Sequence, residues 1–161
     1  MSSSRKYSID TSGLVSPWRF DYPPDVFPVV WESLSELIEK EIVVATEEVY
    51  TEIKVGNDDL YDWVKARKKM FLPLDADIQR EVGVILAAHP LWVPPDRSRN
   101  MADPFVVAVA KAHGCTVVSG EMWSNSPYPE RVKIPNVCHG FGIRHITFLE
   151  LMREEGWIFA R

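Results

Sequence analysis

The stretch NMADPFVVAVAKAHGCTVVSGE, residues 100–121, places an apolar helix directly before a short apolar strand. Asp103 and Pro104 are typical of an N-cap and a first helical residue, and Gly114 is typical of a helix end. The following segment, CTVVS, has the continuous apolar character of a parallel strand. We therefore expect a buried helix, a turn and a strand, with Asp103 at one end of the unit and Glu121 at the other.

The rest of the chain repeats this alternation of strands and helices. The predicted elements before and after the stretch are a strand over KYSID with a turn over TSGL, a helix that follows Pro24, a strand over EIVVA, a helix capped by Thr46, a helix capped by Asn57, a helix that begins near Asp75, and a closing helix over FLELMREEGW. Such an order predicts an α/β domain with right-handed crossovers, built as a three-layer α/β/α sandwich around a mostly parallel central sheet.

Composition narrows the class of protein. The chain has 161 residues, of which 46% are apolar, so we expect one domain over residues 1–161, with residues 1–5 as an N-terminal tail. A net charge of −5 argues against nucleic-acid binding by bulk charge. Two cysteines are too few for a disulfide scaffold or a four-thiol zinc site. Because no signal peptide or membrane span is evident, we expect a cytoplasmic protein without membrane contact.

Four acids are expected to meet at the carboxyl ends of the strands. Asp10 ends the first strand, Asp103 opens the apolar helix, Glu121 follows the next strand, and Glu52 flanks the buried face of its helix. Four carboxylates in one place repel one another unless a cation lies between them, and such oxygen ligands suit Mg²⁺ or Mn²⁺.

Each acid also has a structural interpretation. Asp103 before Pro104 can serve only as an N-cap, and Asp10 before Thr11 can form an Asx-turn. Glu52 can be an ordinary solvated helix charge, and Glu121 an ordinary loop charge. The joint placement at one sheet edge favours the functional interpretation over these separate ones.

Four segments together resemble the PIN-domain family, in particular a PIN-like branch related to toxin ribonucleases of bacterial toxin–antitoxin systems. These segments are YSIDTSGL, VVATEEVYTEI, MADPFVVAVAKAHGCTVVSGE and KIPNVC. The resemblance assigns the family's first three acids to Asp10, Glu52 and Asp103. Its fourth acid, usually an Asp that lies two residues after a Ser or Thr, falls on Glu121 after Ser119, and the longer Glu is a departure from the pattern.

The resemblance implies a metal-dependent ribonuclease in which carboxylate-bound Mg²⁺ or Mn²⁺ activates water. The expected metal ligands and catalytic residues are Asp10, Glu52, Asp103 and Glu121. The expected substrate-binding residues are Thr11, Ser12, Arg97, Arg99 and Ser119, with Arg19 beside Trp18 as a further stacking contact. The partners that it implies are RNA, a protein antitoxin and a second copy of the chain. The alternative is a catalytically inactive PIN-like module that binds nucleic acid or protein.

Two further classes of protein are alternatives to the ribonuclease, and two further sets of residues carry expectations of their own. A phosphatase of the haloacid dehalogenase type needs a second acid two residues after the first, and Ser12 occupies that place. A protein whose acids only cap helices would have no tight metal site. Exposed apolar residues for docking a partner are expected at Trp18, Phe20 or Trp92, with core burial equally favoured. The remaining expectation is a structural role for three histidines: His113, His139 and His145.

Overall fold

A computed structural model describes residues 4–160 and shows an α/β fold. Its central sheet has five strands, all parallel, in the order β3-β2-β1-β4-β5. The strands are β1 (Tyr7–Ile9), β2 (Val43–Thr46), β3 (Phe71–Leu72), β4 (Thr116–Val118) and β5 (His145–Ile146). In register, Ser8 of β1 lies between Val44 of β2 and Val117 of β4. The predicted fold class is therefore confirmed, with a sheet that is parallel throughout.

Eight α-helices accompany this sheet within the described residues. They are α1 (Thr11–Ser16), α2 (Pro28–Glu39), α3 (Glu47–Gly56), α4 (Asp59–Lys65), α5 (Ala76–Ala88), α6 (Asp103–His113), α7 (Ile134–Gly140) and α8 (Phe148–Glu154). A π-helical turn (Pro17–Asp21) and two short 3₁₀ turns (Lys68–Met70 and Pro129–Arg131) connect them. The arrangement is consistent with the predicted three-layer α/β/α fold.

Helix α6 packs across the middle of the sheet. It contacts β1, β2 and β4 on one side and α5 on another, which buries every residue from Val106 to Ala110. Ser8 of β1 donates its hydroxyl to the Val106 carbonyl oxygen at 2.8 Å. Gly114 then ends the helix in the left-handed region, at φ +69°. The predicted burial of this helix and its predicted end are both confirmed.

The segment after β1 differs from the prediction. TSGL does not form a simple turn, because the side chain of Asp10 caps the helix α1 instead. This helix lies so close to β4 that a Cβ on Gly13 would come within 2.8 Å of the Val118 carbonyl oxygen. Glycine at this position therefore brings the start of α1 against the end of β4.

The start of α4 also differs from the prediction. Asp58 caps this helix, whereas Asn57, the predicted cap, adopts a left-handed conformation that ends α3. The elements β3, β5 and α7 were not predicted. The two strands have only two residues each, which is too short for an apolar alternation to be recognised.

The described chain begins within the predicted N-terminal tail. Residues 1–3 lie outside the described residues, while Arg5 Nη1 lies 3.2 Å from His113 Nε2. Within residues 4–160, every helix is too short or too polar to cross a membrane.

Candidate active site

The four acids predicted to converge line one cavity. This cavity has a volume of about 320 Å³ and lies at the carboxyl ends of the strands. Its lining contains Asp10, Glu52, Asp103 and Glu121, together with Thr11, Ser12, Val15, Ser16 and Asn100. We call it the carboxylate cavity.

Asp10 keeps one of its two carboxylate oxygens free of protein donors. Its Oδ2 accepts hydrogen bonds from the Ser12 amide at 3.2 Å and the Ser12 hydroxyl at 2.6 Å. Its Oδ1 is buried and has no hydrogen-bond partner among the described residues. An unpartnered buried carboxylate oxygen costs free energy of folding. The capping role of Asp10 explains the position of Oδ2 but not the burial of Oδ1.

Asp103 does not act as the N-cap of α6, so this prediction is wrong. Ala102 occupies the N-cap position, Asp103 is the first helical residue, and Pro104 is the second. The Asp103 amide donates to the Asn100 carbonyl oxygen at 3.3 Å, while no side chain caps the helix. A carboxyl that is only 6% exposed therefore lies in the carboxylate cavity without the capping role that its sequence position suggested.

Glu52 links three helices at the cavity. Its Oε2 accepts a hydrogen bond from the Thr11 hydroxyl at 2.6 Å, at the start of α1. Its Oε1 accepts a hydrogen bond from the Ala102 amide at 3.2 Å, at the start of α6. The interpretation of Glu52 as a solvated helix charge is therefore wrong, whereas Glu47 on the same helix is exposed.

Glu121 is held by the element that follows it in the chain. Its Oε2 accepts a hydrogen bond from the Ile134 amide at 2.8 Å, at the start of α7. Its own amide donates to the Ser119 hydroxyl at 3.2 Å, and Ser119 Oγ lies 2.6 Å from His145 Nε2. Burial lowers the pKa of His145, which favours a neutral ring in this contact. The interpretation of Glu121 as an ordinary loop charge is wrong, because two hydrogen bonds fix its position.

Three predicted substrate-binding hydroxyls hold the acids in position. Thr11 donates to Glu52, and Ser12 donates to Asp10 while its oxygen accepts from the Gly120 amide at 3.0 Å. Ser119 is fully buried and lines a neighbouring cavity of about 480 Å³, which shares Ser12 with the carboxylate cavity. A direct contact of these hydroxyls with substrate stays a prediction.

The cavity has an unfavourable excess of negative charge. Burial raises the pKa of Asp10 to about 6, and the charges of Glu121 and Glu52 act in the same direction. Burial also raises the pKa of Asp103 to about 9. The acids that raise the Asp103 value further are Asp10, Glu121 and Glu52, against which Lys133 acts as a nearby positive charge. The carboxylates therefore cannot all ionise at neutral pH without a compensating cation.

This donor set fits a hard divalent cation. It consists of carboxylate oxygens, includes the unpartnered Oδ1 of Asp10, and carries mutual repulsion that a cation would relieve. Within residues 4–160, no three His, Cys, Asp or Glu side chains are already arranged around one point as a metal site. Glu52 and Glu121 each accept a hydrogen bond from a backbone amide, which leaves the other lone pairs of their carboxylate oxygens for a cation.

The two predicted arginines lie in different places. A third cavity adjoins the carboxylate cavity on another side, at Asn100. Arg97 is exposed and lines neither the carboxylate cavity nor this third cavity. Arg99 lines the third cavity, which has a volume of about 240 Å³. We call it the basic cavity, and its lining is Arg99, Asn100, Ser124, Ser126, Glu130, Arg131, Val132 and Lys133. Sequence reasoning missed Arg131 and Lys133, whose only signal is their position just before the helix that begins at Ile134.

The two residues predicted to form a stacking contact with RNA have partners within the protein. Arg19 makes an ion pair with Asp58 at 2.6 Å, and the indole of Trp18 is buried and donates to Asp59. Trp18 and Trp92 are therefore core residues and not docking residues, whereas Phe20 is 77% exposed.

The comparisons with known proteins place the chain in a family but assign it no activity. No curated protein matches the chain. The sequence profile of DUF4411, described as a domain of unknown function, matches residues 7–159, so the chain belongs to the DUF4411 family.

Proposed function

We propose that this protein is a divalent-metal-dependent ribonuclease that hydrolyses RNA phosphodiester bonds at the carboxylate cavity. The observation that carries the proposal is the convergence of four acids from distant elements on one cavity, in which a buried oxygen of Asp10 lacks a partner. Burial and mutual repulsion both destabilise the charged form of such carboxylates. If stability were the only requirement on this part of the fold, the acids would lie apart.

The carboxylates of Asp10, Asp103, Glu52 and Glu121 are the groups that would hold Mg²⁺ or Mn²⁺. A bound divalent cation supplies charge stabilisation at the scissile phosphate and makes water a stronger nucleophile at neutral pH. In the reaction, water loses a proton as its oxygen forms a bond to phosphorus, one P–O ester bond breaks, and the departing oxygen takes up a proton, so the number of protons is unchanged.

The protein's own contribution is to position the carboxylates. The hydroxyls of Thr11 and Ser12 hold Glu52 and Asp10, and the amides of Ala102 and Ile134 hold Glu52 and Glu121. These donors come from the starts of the helices α1, α6 and α7, so the site is supported by rigid elements.

The biological setting of the proposal rests on the PIN-like resemblance. We infer a cytoplasmic toxin of a toxin–antitoxin pair that is inhibited by a protein antitoxin and that pairs with a second copy of itself. The alternative is an inactive PIN-like binding module, which has no need for four acids at one edge of the sheet.

Cleavage of single-stranded RNA in the presence and absence of metal tests the proposal. We expect the purified protein to lose activity in excess chelator and to regain it when Mn²⁺ or Mg²⁺ is added beyond the chelator. Asp10→Asn, which replaces the unpartnered oxygen with an amide group or a neutral acceptor, should abolish the regained activity while the protein stays folded.

Undiminished cleavage in excess chelator would remove the metal-dependent mechanism. Metal-independent binding of RNA without any cleavage by the wild type would favour the inactive module instead.

A further inference from the structure

The basic cavity concentrates positive charge beside an acidic site. Three cationic side chains line it, Arg99, Arg131 and Lys133, against a single acid, Glu130. Ser124 and Ser126 add hydroxyl groups to the same lining. On a protein with a net charge of −5, such a local cluster is the arrangement by which an acidic protein can attract an anion.

The cations of this cavity are available to a ligand. Within the described residues, none of Arg99, Arg131 and Lys133 takes part in an ion pair, and all three are exposed. By contrast, Arg19 pairs with Asp58 and Lys111 pairs with Glu81. Arg131 lies over the ring of Tyr128 at 5.3 Å, a contact that leaves the edge of its guanidinium group free to donate.

The basic cavity adjoins the carboxylate cavity directly. Asn100 lines both cavities, and its amide group is held by the Trp92 carbonyl oxygen at 2.9 Å. Lys133 precedes Ile134, whose amide donates to Glu121. A ligand that spans the two cavities would therefore meet positive charge immediately beside the carboxylates.

The loop that carries two of these cations is held in place. Asn136 of α7 accepts a hydrogen bond from the Ser124 amide and donates one to the Ser124 carbonyl oxygen, both at 2.9 Å. The same loop exposes the rings of Trp123 and Tyr128, which are 52% and 56% accessible. Cations on the same loop as exposed aromatic rings suit a single-stranded nucleic acid, whose phosphates pair with the cations while its bases stack on the rings.

We propose that Arg99, Arg131 and Lys133 bind backbone phosphates of a single RNA strand where it leaves the carboxylate cavity. The inference rests on the proposed function, since it identifies how the substrate of that site is held. Arg131 and Lys133 supply the main contacts, and Trp123 and Tyr128 supply stacking surfaces for the unpaired bases.

Binding of a fluorescently labelled single-stranded RNA, measured by anisotropy in the Asp10→Asn background, tests the proposal without cleavage. The test variant is the pair Arg131→Gln and Lys133→Gln. A matched control with the same change of charge is Lys40→Gln and Lys65→Gln, two exposed cations at the ends of α2 and α4. Melting temperatures of both variants should stay well above the temperature of the binding assay, because all four side chains are exposed.

We expect the test pair to raise the Kd for RNA at least about tenfold and to lower the slope of log K against log salt by about 1.4, the value for two lost phosphate contacts on a single strand. The control pair should change Kd less than about twofold, and a duplex of equal length should bind the background more weakly than the single strand.

Equal weakening by both pairs would overturn the proposal, as would a test pair that binds RNA like the background. If the test pair loses binding of a polyglutamate peptide but not of RNA, the cavity binds an acidic protein and the proposal is wrong. Failure of the proposed function is distinct, because it appears as absence of wild-type cleavage whatever the binding results.

Discussion

Replacing Asp103 with Asn shows how much the ionisation of this buried carboxyl changes the stability of the protein, because the size of the side chain stays nearly the same. Asn is nearly isosteric with Asp but cannot ionise. The folded protein raises the pKa of Asp103 from 3.8 to about 9, so folding favours the protonated form. The contribution of Asp103 to stability is therefore fully present below about pH 4 and is lost as the pH rises toward 9.

The size of the effect follows from this pKa difference. Each pH unit between the unfolded and folded values lowers the free energy of unfolding by up to about 1.4 kcal/mol. Because the charge of Asp10 is one cause of the raised pKa of Asp103, part of this cost belongs to the pair, and the share removed by Asp103→Asn is on the order of 3 kcal/mol at pH 8. For a chain of this length, that corresponds to a Tm increase of about 5 to 15 °C in Asp103→Asn without metal.

Thermal unfolding followed by circular dichroism between pH 4 and pH 8, with chelator present, measures this difference. The Asn amide can change Tm by an amount that does not depend on pH. Subtracting the Tm difference at pH 4 from the Tm difference at pH 8 removes that amount. Glu47→Gln is the matched control, because it removes the same charge from an exposed site on α3 and should leave Tm nearly unchanged at both ends.

A Tm difference that is the same at pH 4 and pH 8 would refute the electrostatic argument, as would a lower Tm for Asp103→Asn at pH 8. A second measurement adds Mn²⁺ at pH 8. We expect the metal to raise the Tm of the wild type more than that of the variant, since a ligand of the folded state stabilises it and the variant lacks one carboxylate.

Two further predictions concern the positions around the cavity. Glu52→Gln should lose most of the RNA cleavage activity, because the amide cannot replace a charged ligand oxygen, whereas the exposed Glu47→Gln should retain most of it; equal losses in a cleavage assay would show that the helix register was misassigned. Gly13→Ala should destabilise the protein by about 1 to 3 kcal/mol, because its Cβ would lie 2.8 Å from the Val118 carbonyl oxygen, and an unchanged midpoint of urea unfolding would contradict the tight packing of α1 on β4.

The elements that could be predicted from sequence are those with a strong local signal. The apolar run from Val106 to Ala110 predicts burial, and Gly114 predicts the end of α6. The two-residue strands β3 and β5 carry no such signal, since hydrogen bonds to neighbouring strands define them. The cap of α4 was misassigned by one residue because Asn57 and Asp58 are both good caps, and the end of α3 uses the first of them.

The candidate site divides in the same way. Asp10 and Glu121 follow apolar strands, and parallel strands bring their carboxyl ends to one edge, so sequence alone predicts that these acids meet. Which donor each carboxylate oxygen of the site accepts from depends on residues far along the chain. Glu52 accepts from Ala102, 50 residues away, and no local pattern indicates that contact.

Local apolar patterns, and the residues that end them, thus determined the alternation of strands and helices, the mostly parallel sheet and the candidate acids, whereas the order of the five strands is known only from the tertiary structure. The tertiary structure decided which carboxylate oxygen of Asp10 is left without a donor, that Asp103 does not cap its helix, and that Lys133 lies close enough to oppose the acids. The physical reason is that burial, hydrogen bonding and charge act through distances in space, and these distances are set only when helices from separate parts of the chain pack against one sheet.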